Sequence, residues 1–322
     1  MKNDLKISTF IHVLDDNNLW NALKKEKIEC DGYVSRYIID NKDKIGLDNI
    51  PLTIKYNSDI ITTRSEEEKL IRLLANKTTD KQFQGLYLIT TTNCNLNCDY
   101  CFYRSDISES LLKRSNMNFD VAKNAIDKFK ENVVNNFKDN NYWQQITFYG
   151  GEPSINKELL KQAIPYARKV FNDEYTSIVV NTNLTIYDEE LFEIYKANDI
   201  EVQVSIDGKK EQHDLHRKKR DGTGSFEIVL ENILKLKKLG VRVVPMITAS
   251  DANVDNFSDI LCDIIEKLDV DDFGANILIT NSYSIDKSYP LKLAREMIKA
   301  YKRIGKKVFD YSFVELYEGI LG

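Results

Sequence analysis

From residue 85 onward, short β-branched runs alternate with longer segments of helical period, and nothing else in the chain narrows its fold so far. The runs "LYLITTT" (86–92), "ITFYG" (146–150), "SIVVNTN" (177–183), "EVQVSID" (201–207), "VRVVPMIT" (241–248) and "FGANILIT" (273–280) read as six strands. Helices are expected between them at about 120–138, 158–172, 188–198, 226–239 and 254–268, with a last one at about 290–310. Strands that alternate with helices pair in parallel, because the helix carries the chain back to the starting edge. The segment 120–138 sets Val121, Ala125, Ile126, Phe129, Val133 and Phe137 near one face, as a helix packed on a sheet requires. Ser225 is a candidate N-cap for the fourth helix and Gly240 its stop. Six such units build an α/β fold, either a partial (β/α)6 barrel of the TIM type or a doubly wound open sheet. Both place chemistry at the carboxyl ends of the strands.

Residues 1–84 follow another pattern. "FIHVLDDNNLWNALK" (10–24) resembles a hairpin turning at Asp16–Asn18, and "PLTIKY" (51–56) reads as an extended piece. "RSEEEKLIRLLANK" (64–77) reads as a helix with Ser65 and Glu68 in capping-box relation. We expect a small N-terminal α+β appendage over 1–84 and the barrel over 85–322. The polar stretch 104–116 reads as a long loop.

Composition limits function. The chain has 322 residues, 42% hydrophobic and 30% charged, enough for a sizeable core. No apolar run approaches the roughly 20 residues of a membrane span, and "MKNDLKISTF" lacks a signal-peptide core, so a cytoplasmic protein is the expectation. The net charge of −5 argues against a nucleic-acid surface, with "HRKKRDG" (216–222) the one short basic cluster. Five cysteines without a secretory signal point to reduced thiols, not to a disulfide framework.

Three of these, Cys94, Cys98 and Cys101, fall within eight positions just beyond the first barrel strand. Thiolates so close together are the usual ligands of iron–sulfur clusters, and a four-iron cluster normally takes four. Three leave one iron open to an exogenous amino and carboxylate pair. A structural zinc completed by Cys262 or a histidine, or coincidence, also fits the spacing.

Further segments carry a family resemblance. "CNLNCDYC" has the CxxxCxxC spacing of the radical S-adenosylmethionine (radical SAM) enzymes, with Tyr100 before the third cysteine. "YGGEPSIN" (149–156), ending strand two, resembles that family's GGEP motif, and "VSIDG" (204–208) ends strand four. "HDLHRKKRDGTGSF" (213–226) follows a D-x-x-R…G-x-G-S-F pattern frequent in the peptide- and sulfatase-modifying branch. The resemblance spans about residues 86–310.

The resemblance implies a [4Fe–4S] cluster on Cys94, Cys98 and Cys101 that reduces S-adenosylmethionine (SAM) to methionine and a 5′-deoxyadenosyl radical, which takes hydrogen from an unreactive C–H bond. It also implies that Gly150, Gly151, Glu152 and Pro153 meet the methionyl amino group. Arg217 would pair with the SAM carboxylate, and Asn181 or Asn183 with Ser205 and Asp207 would line its polar edge. Met246 and Ile247 would pack near adenine, and Tyr100 and Phe102 would cover the cofactors. A peptide substrate is implied, with a thioether or carbon–carbon cross-link as product, alongside a flavodoxin- or ferredoxin-type electron donor. Oxidation or epimerisation of a peptide residue, or a non-catalytic cluster-bearing sensor, are the alternatives. The sequence departs from the branch in stopping at "YSFVELYEGILG", where a cysteine-rich auxiliary-cluster extension (the SPASM type) would begin; truncation of a longer enzyme is the expectation. Peptide maturases often begin with a small winged-helix element that grips a leader peptide by strand addition, a role open to residues 1–84. His213 and His216 read as surface loop contacts, His12 as a hairpin residue, and Cys30 and Cys262 as small buried apolar groups.

Overall fold

The computed structural model describes residues 4–24, 26–78, 84–101, 115–136, 143–278 and 288–304. The chain divides into two compact units, one formed by the N-terminal 81 residues and one beginning at Gln82.

In the N-terminal unit, β1 (Leu5–Ile7) pairs antiparallel with β5 (Ile61–Thr63). A separate antiparallel meander joins β2 (Ile11–Asp15), β3 (Asn18–Asn21) and β4 (Glu26–Glu29), so the expected hairpin is present and gains a third strand. Helix α1 (Gly32–Asn41) was not anticipated; the Asp31 side chain accepts from Val34 N and caps it. Ile7, Ile11, Leu19, Val34, Ile38 and Ile54 share one core. The expected extended piece at 51–56 is a run of turns, closed by bonds from Ile54 N and Lys55 N to Pro51 O. Helix α2 (Arg64–Thr78) has its capping box two residues earlier than expected: Glu66 N bonds to Thr63 Oγ1, and Thr63 N bonds back to Glu66 Oε2, both at 3.2 Å.

The second unit is the six-stranded sheet of β6 (Gly85–Thr91), β7 (Gln144–Gly150), β8 (Thr176–Thr182), β9 (Ile200–Ser205), β10 (Arg242–Ala249) and β11 (Gly274–Ile277). All neighbours are parallel, and spatial order equals chain order. The connections run through α3 (Phe119–Asn136), α4 (Lys157–Val170), α5 (Glu189–Ala197), the pair α6 (Lys210–His216) and α7 (Phe226–Lys238), and α8 (Phe257–Leu268), with α9 (Tyr289–Ile304) following β11. When right-handed crossovers all step in one direction, every helix lands on the same face. That decides for the half-barrel over the doubly wound sheet, whose strand order reverses midway.

The two faces differ in chemistry. Leu88, Ile146, Phe148, Ile178, Val180, Val202 and Val204 join Ile126, Phe129, Leu160 and Ile233 of the helices in one apolar core. Val121 is exposed instead, and Phe137 lies outside the described residues. On the opposite face Tyr87, Thr147, Tyr149, Asn181, Gln203, Ser205, Met246 and Thr248 line a cavity of about 1100 Å³. Asn181 stands beside Gln203, and Ser205 beside Met246, so register holds these groups in tiers. Helix α7 stops at Gly240 (φ +79°), as expected, but Ser225 does not cap it through its side chain. Asp214 does so, accepting from Ser225 N and Phe226 N at 2.8 and 2.9 Å.

Candidate active site at the carboxyl ends of the strands

Cys94, Cys98 and Cys101 lie on the loop leaving β6, each half-buried, and all three line the cavity. The loop takes its shape from neighbours. Gly151 N donates to Thr91 O and Glu152 N to Asn93 O, both at 2.8 Å, laying the end of β7 directly on the loop's first residues. A Cβ on Gly150 would stand 2.3 Å from Thr91 O, and one on Gly151 would stand 2.3 Å from Asn93 O. The glycines thus admit backbone against backbone, and both also face the cavity.

Glu152 differs from expectation. Its carboxylate is fully buried and does not line the cavity: Oε1 accepts from Thr182 Oγ1 (2.6 Å) and Ser154 N (3.0 Å), and Oε2 from Asn183 N (2.7 Å). It ties the ends of β7 and β8 together, and burial lifts its carboxyl above the ordinary value despite those bonds. Pro153 is likewise buried, starting a short 3₁₀ turn.

At the end of β9, Asp207 is a buried hub that also leaves the cavity wall. Its Oδ2 accepts from Arg217 Nε at 2.7 Å and from the Tyr100 hydroxyl. Its Oδ1 accepts from Thr248 N at 3.0 Å and Arg217 Nη2 at 3.2 Å. Burial pushes this carboxyl up, but the Arg217 charge and these bonds outweigh it and hold it below the ordinary range. Arg217 lines the cavity, and its guanidinium also sits over the Tyr100 ring at 5.4 Å. Its Nη2 also donates to Thr248 Oγ1 at 3.3 Å, and among the described residues only Nη1 has no hydrogen bond, which leaves that nitrogen for an anion.

Both histidines expected at the surface are buried. His213 Nδ1 accepts from Asp207 N at 3.3 Å, so its Nε2 carries the proton toward Ser225 Oγ (2.9 Å), which in turn donates to Arg217 O (2.7 Å). Burial, reinforced by Arg217, pushes the His213 pKa down to about 4. His216 Nδ1 bonds to Asp99 between the second and third cysteines at 2.9 Å, and its ring lies 5.2 Å from that of Tyr100.

The basic segment holds the loop from outside. Leu96 forms an antiparallel bridge with Lys219, Asn97 N donates to Lys218 O at 2.7 Å, and Arg220 Nη2 donates to Cys94 O at 2.7 Å. The sequence reading missed Arg220, Asp99, Thr182, Thr185 and Thr248, and also Asn253, whose Nδ2 donates to Asp207 O and Thr248 O; only Arg220 had a visible signal, its place in the basic cluster. Asn181, Asn183, Ser205 and Met246 line the cavity. Phe102 and the loop 104–114 lie outside the described residues, as does the chain's final stretch. Cys262 is buried on α8, as expected.

The thiols fit an iron–sulfur cluster on their own chemistry. Burial raises the Cys94 thiol and pushes Cys98 up to about 12, so these sulfurs ionise only against a cation of matching softness. Among the described residues no three His, Cys, Asp or Glu side chains converge to hold a single metal ion.

A half-barrel with a thiol loop and a polar cavity at its strand ends defines an enzyme that works on a small bound cofactor under cover of the barrel. Residues 88–261, more than half of the chain, match the family model described as the radical SAM superfamily. The chain belongs to that superfamily, whose enzymes use a [4Fe–4S] cluster and SAM.

It is 30% identical over 165 residues to a serine-type anaerobic sulfatase-maturating enzyme of Bacteroides thetaiotaomicron, covering 50% of this chain and 38% of that one. It is 25% identical over 302 residues to the radical SAM cyclopropyl synthase TigE of Paramaledivibacter caminithermalis, covering 89% and 62%. The solved structure of Streptococcus suis SuiB bound to its precursor peptide SuiA shares the fold, with a TM-score of 0.54 at 13% identity, over 98% of this chain and 75% of that one. The chain spans about half the length of the curated relatives it matches. Among the described residues no helix is long and apolar enough to cross a membrane.

Proposed function

We propose that this chain is a cytoplasmic peptide-modifying radical SAM enzyme that installs a thioether or carbon–carbon cross-link in a ribosomally made peptide. Cys94, Cys98 and Cys101 hold the cluster, with SAM in the adjoining cavity. When bound, these groups supply one-electron cleavage of a carbon–sulfur bond and abstraction of a hydrogen atom. The chain's own residues bind, orient and enclose. Arg217 offers its Nη1 to the SAM carboxylate, while Gly150 and Gly151 present backbone to its amino end. Ser205 and Asn181 meet its polar edge, and Met246 packs on its base. Tyr100, fixed by Asp207, shuts the floor beneath the loop against water.

The observation that carries the reading is the cavity of about 1100 Å³ with the thiols on its wall. It is larger than the sites, up to about 1000 Å³, that enclose a single drug-sized ligand, so it has room for a second molecule beside SAM. The precursor peptide named with SuiB, and the sulfatase named for the Bacteroides relative, favour a peptide or protein as that molecule. A cluster-bearing sensor has no use for such a space. Residues 1–84 serve as the appendage that meets a leader peptide, and 85–322 as the catalytic core. Strand addition would use β4, which among the described residues pairs only with β3. A flavodoxin- or ferredoxin-type protein supplies electrons.

The test is anaerobic reconstitution with iron and sulfide, reduction, addition of SAM and measurement of 5′-deoxyadenosine, with Cys98→Ala as control. Release that is absent from Cys98→Ala supports the reading. A protein that binds four irons and releases none refutes it for this chain. With a candidate peptide, a mass loss of about 2 Da with fragmentation suppressed between two residues marks a cross-link, whereas the same loss confined to one residue marks its oxidation. A product of unchanged mass marks epimerisation instead.

A further inference from the structure

Asn183, at the carboxyl end of β8, is 8% exposed and has every side-chain atom committed. Its Oδ1 accepts from Thr185 N at 3.0 Å, and a backbone N–H can only donate, so the oxygen of this amide is identified without ambiguity. The same Oδ1 accepts from Thr185 Oγ1 at 2.6 Å. On the other side, Nδ2 donates one hydrogen to Asn95 Oδ1 at 3.0 Å, and its second faces Cys94 Sγ at 3.8 Å. Asn95 Nδ2 donates to Thr185 Oγ1 at 2.7 Å, closing a ring of three side chains, Asn183 to Asn95 to Thr185 and back. Within this ring the amide cannot flip, and its N–H stays aimed at the sulfur.

We infer that Asn183 is a positioning residue whose amide N–H bonds the Cys94 thiolate and raises the reduction potential of the cluster held there, rather than a contact for SAM. The inference rests on the reading of Cys94 as a cluster ligand. A donor on a ligand sulfur draws electron density from the metal centre, and it stabilises the more negative, reduced state more than the oxidised one. The influence on Cys98 is of another kind, the more diffuse charge of Arg217.

The test uses the full chain, reconstituted anaerobically, with iron counted per chain and the midpoint potential taken by redox titration followed by electron paramagnetic resonance, without SAM. Asn183→Asp keeps the acceptor for Thr185 but sets an oxygen against the sulfur; Asn183→Ala removes the donor outright. Both are expected to lower the potential, so that at a fixed solution potential the reduced-to-oxidised ratio falls roughly tenfold, which is 59 mV for a one-electron couple. Thr185→Val loosens the ring but leaves the amide in place, and less than half that shift is expected. Unchanged potentials in both Asn183 variants with iron retained overturn the inference, as does a Thr185→Val shift of equal size, which makes the role one of loop shape alone. Failure of the unaltered chain to bind four irons is a separate result, and sinks the underlying assignment of the cysteines instead.

Discussion

Replacing Gly151 with alanine tests whether the glycine pair serves the ligand or the loop. The added Cβ would lie 2.3 Å from Asn93 O, 2.6 Å from Asn93 C and 3.1 Å from Cys94 N, all backbone atoms with no rotamer to yield. Ordinary contact needs about 3.4 Å or more, so the start of the cysteine loop must retreat by about 1 Å. That stretches two bonds now at 2.8 Å, Gly151 N to Thr91 O and Glu152 N to Asn93 O. Overpacking costs about 1–3 kcal/mol, and each of the two backbone bonds is worth about 1 kcal/mol, so the substitution destabilises by about 3–5 kcal/mol. For a unit of this size that is a drop of roughly 6–20 °C in Tm. The assay is a melting curve followed by circular dichroism, paired with iron content after reconstitution, since the displaced loop carries Cys94. Gly222→Ala is the comparison: its Cβ meets nothing within 4 Å, and only its positive φ of +86° is strained, a cost of about 1–2 kcal/mol with iron binding kept. A Gly151→Ala chain that melts with the unaltered protein and takes up the same iron refutes the argument.

His213, neutral with Nδ1 facing Asp207 N–H, gives a pH window. Its folded pKa of about 4 lies below the unfolded value of 6.5, so the unfolded chain takes a proton first. Stability is therefore full above pH 6.5 and falls as pH drops toward 4, by on the order of 3 kcal/mol. Urea melts at stepped pH should show this slope, and His213→Gln should flatten it. Asp207→Asn strips the buried Arg217 of its counter-charge and should cost about 3–5 kcal/mol, read by urea denaturation; a smaller loss than from Gly222→Ala would contradict the hub assignment. Arg220→Ala removes the bond to Cys94 O and should speed iron loss to a chelator with little change in melting.

The strands are legible because β-branched runs survive any packing arrangement. Gln145, Thr147 and Tyr149, then Asn181 and Asn183, then Gln203 and Ser205 repeat at every second residue, and that period marks a polar inner wall. The family resemblance singles out Asn181, Asn183 and Ser205 within it, whereas Thr147, Tyr149 and Gln203 belong to no motif and emerge only as cavity lining. The thiol loop and its glycines are legible in the sequence, but the glycines' second partner is not: besides facing the cavity, they admit the backbone of the loop itself. Glu152 was assigned to SAM because its donors Thr182 and Asn183 lie some 30 residues away and no local pattern shows them. The capping box slipped by two because "TRSEEE" offers both Thr63/Glu66 and Ser65/Glu68; the end of β5 at Thr63 chooses the first. His213 and His216 resembled surface residues because the sequence around them is basic, while the fold turns α6 inward onto Asp207 and Asp99.

The thiol loop and the segment 207–224 are one structural unit, although more than 100 residues of chain separate them. The described part of the loop has no helix or strand of its own, and its order comes from outside. Its backbone is bridged by Lys218 and Lys219, Arg220 pins Cys94 O, and Tyr100 is anchored on the Asp207–Arg217 pair. Arg217, proposed to meet SAM, is thereby rigidly tied to the residue that flanks Cys101. Two hydrogen bonds through Asp207 join Tyr100 of the thiol loop to Arg217, so the two proposed sites are coupled with no moving part. Whatever loosens that carboxylate, by mutation or by protonation in acid, slackens the thiol loop and the proposed SAM contact in the same step.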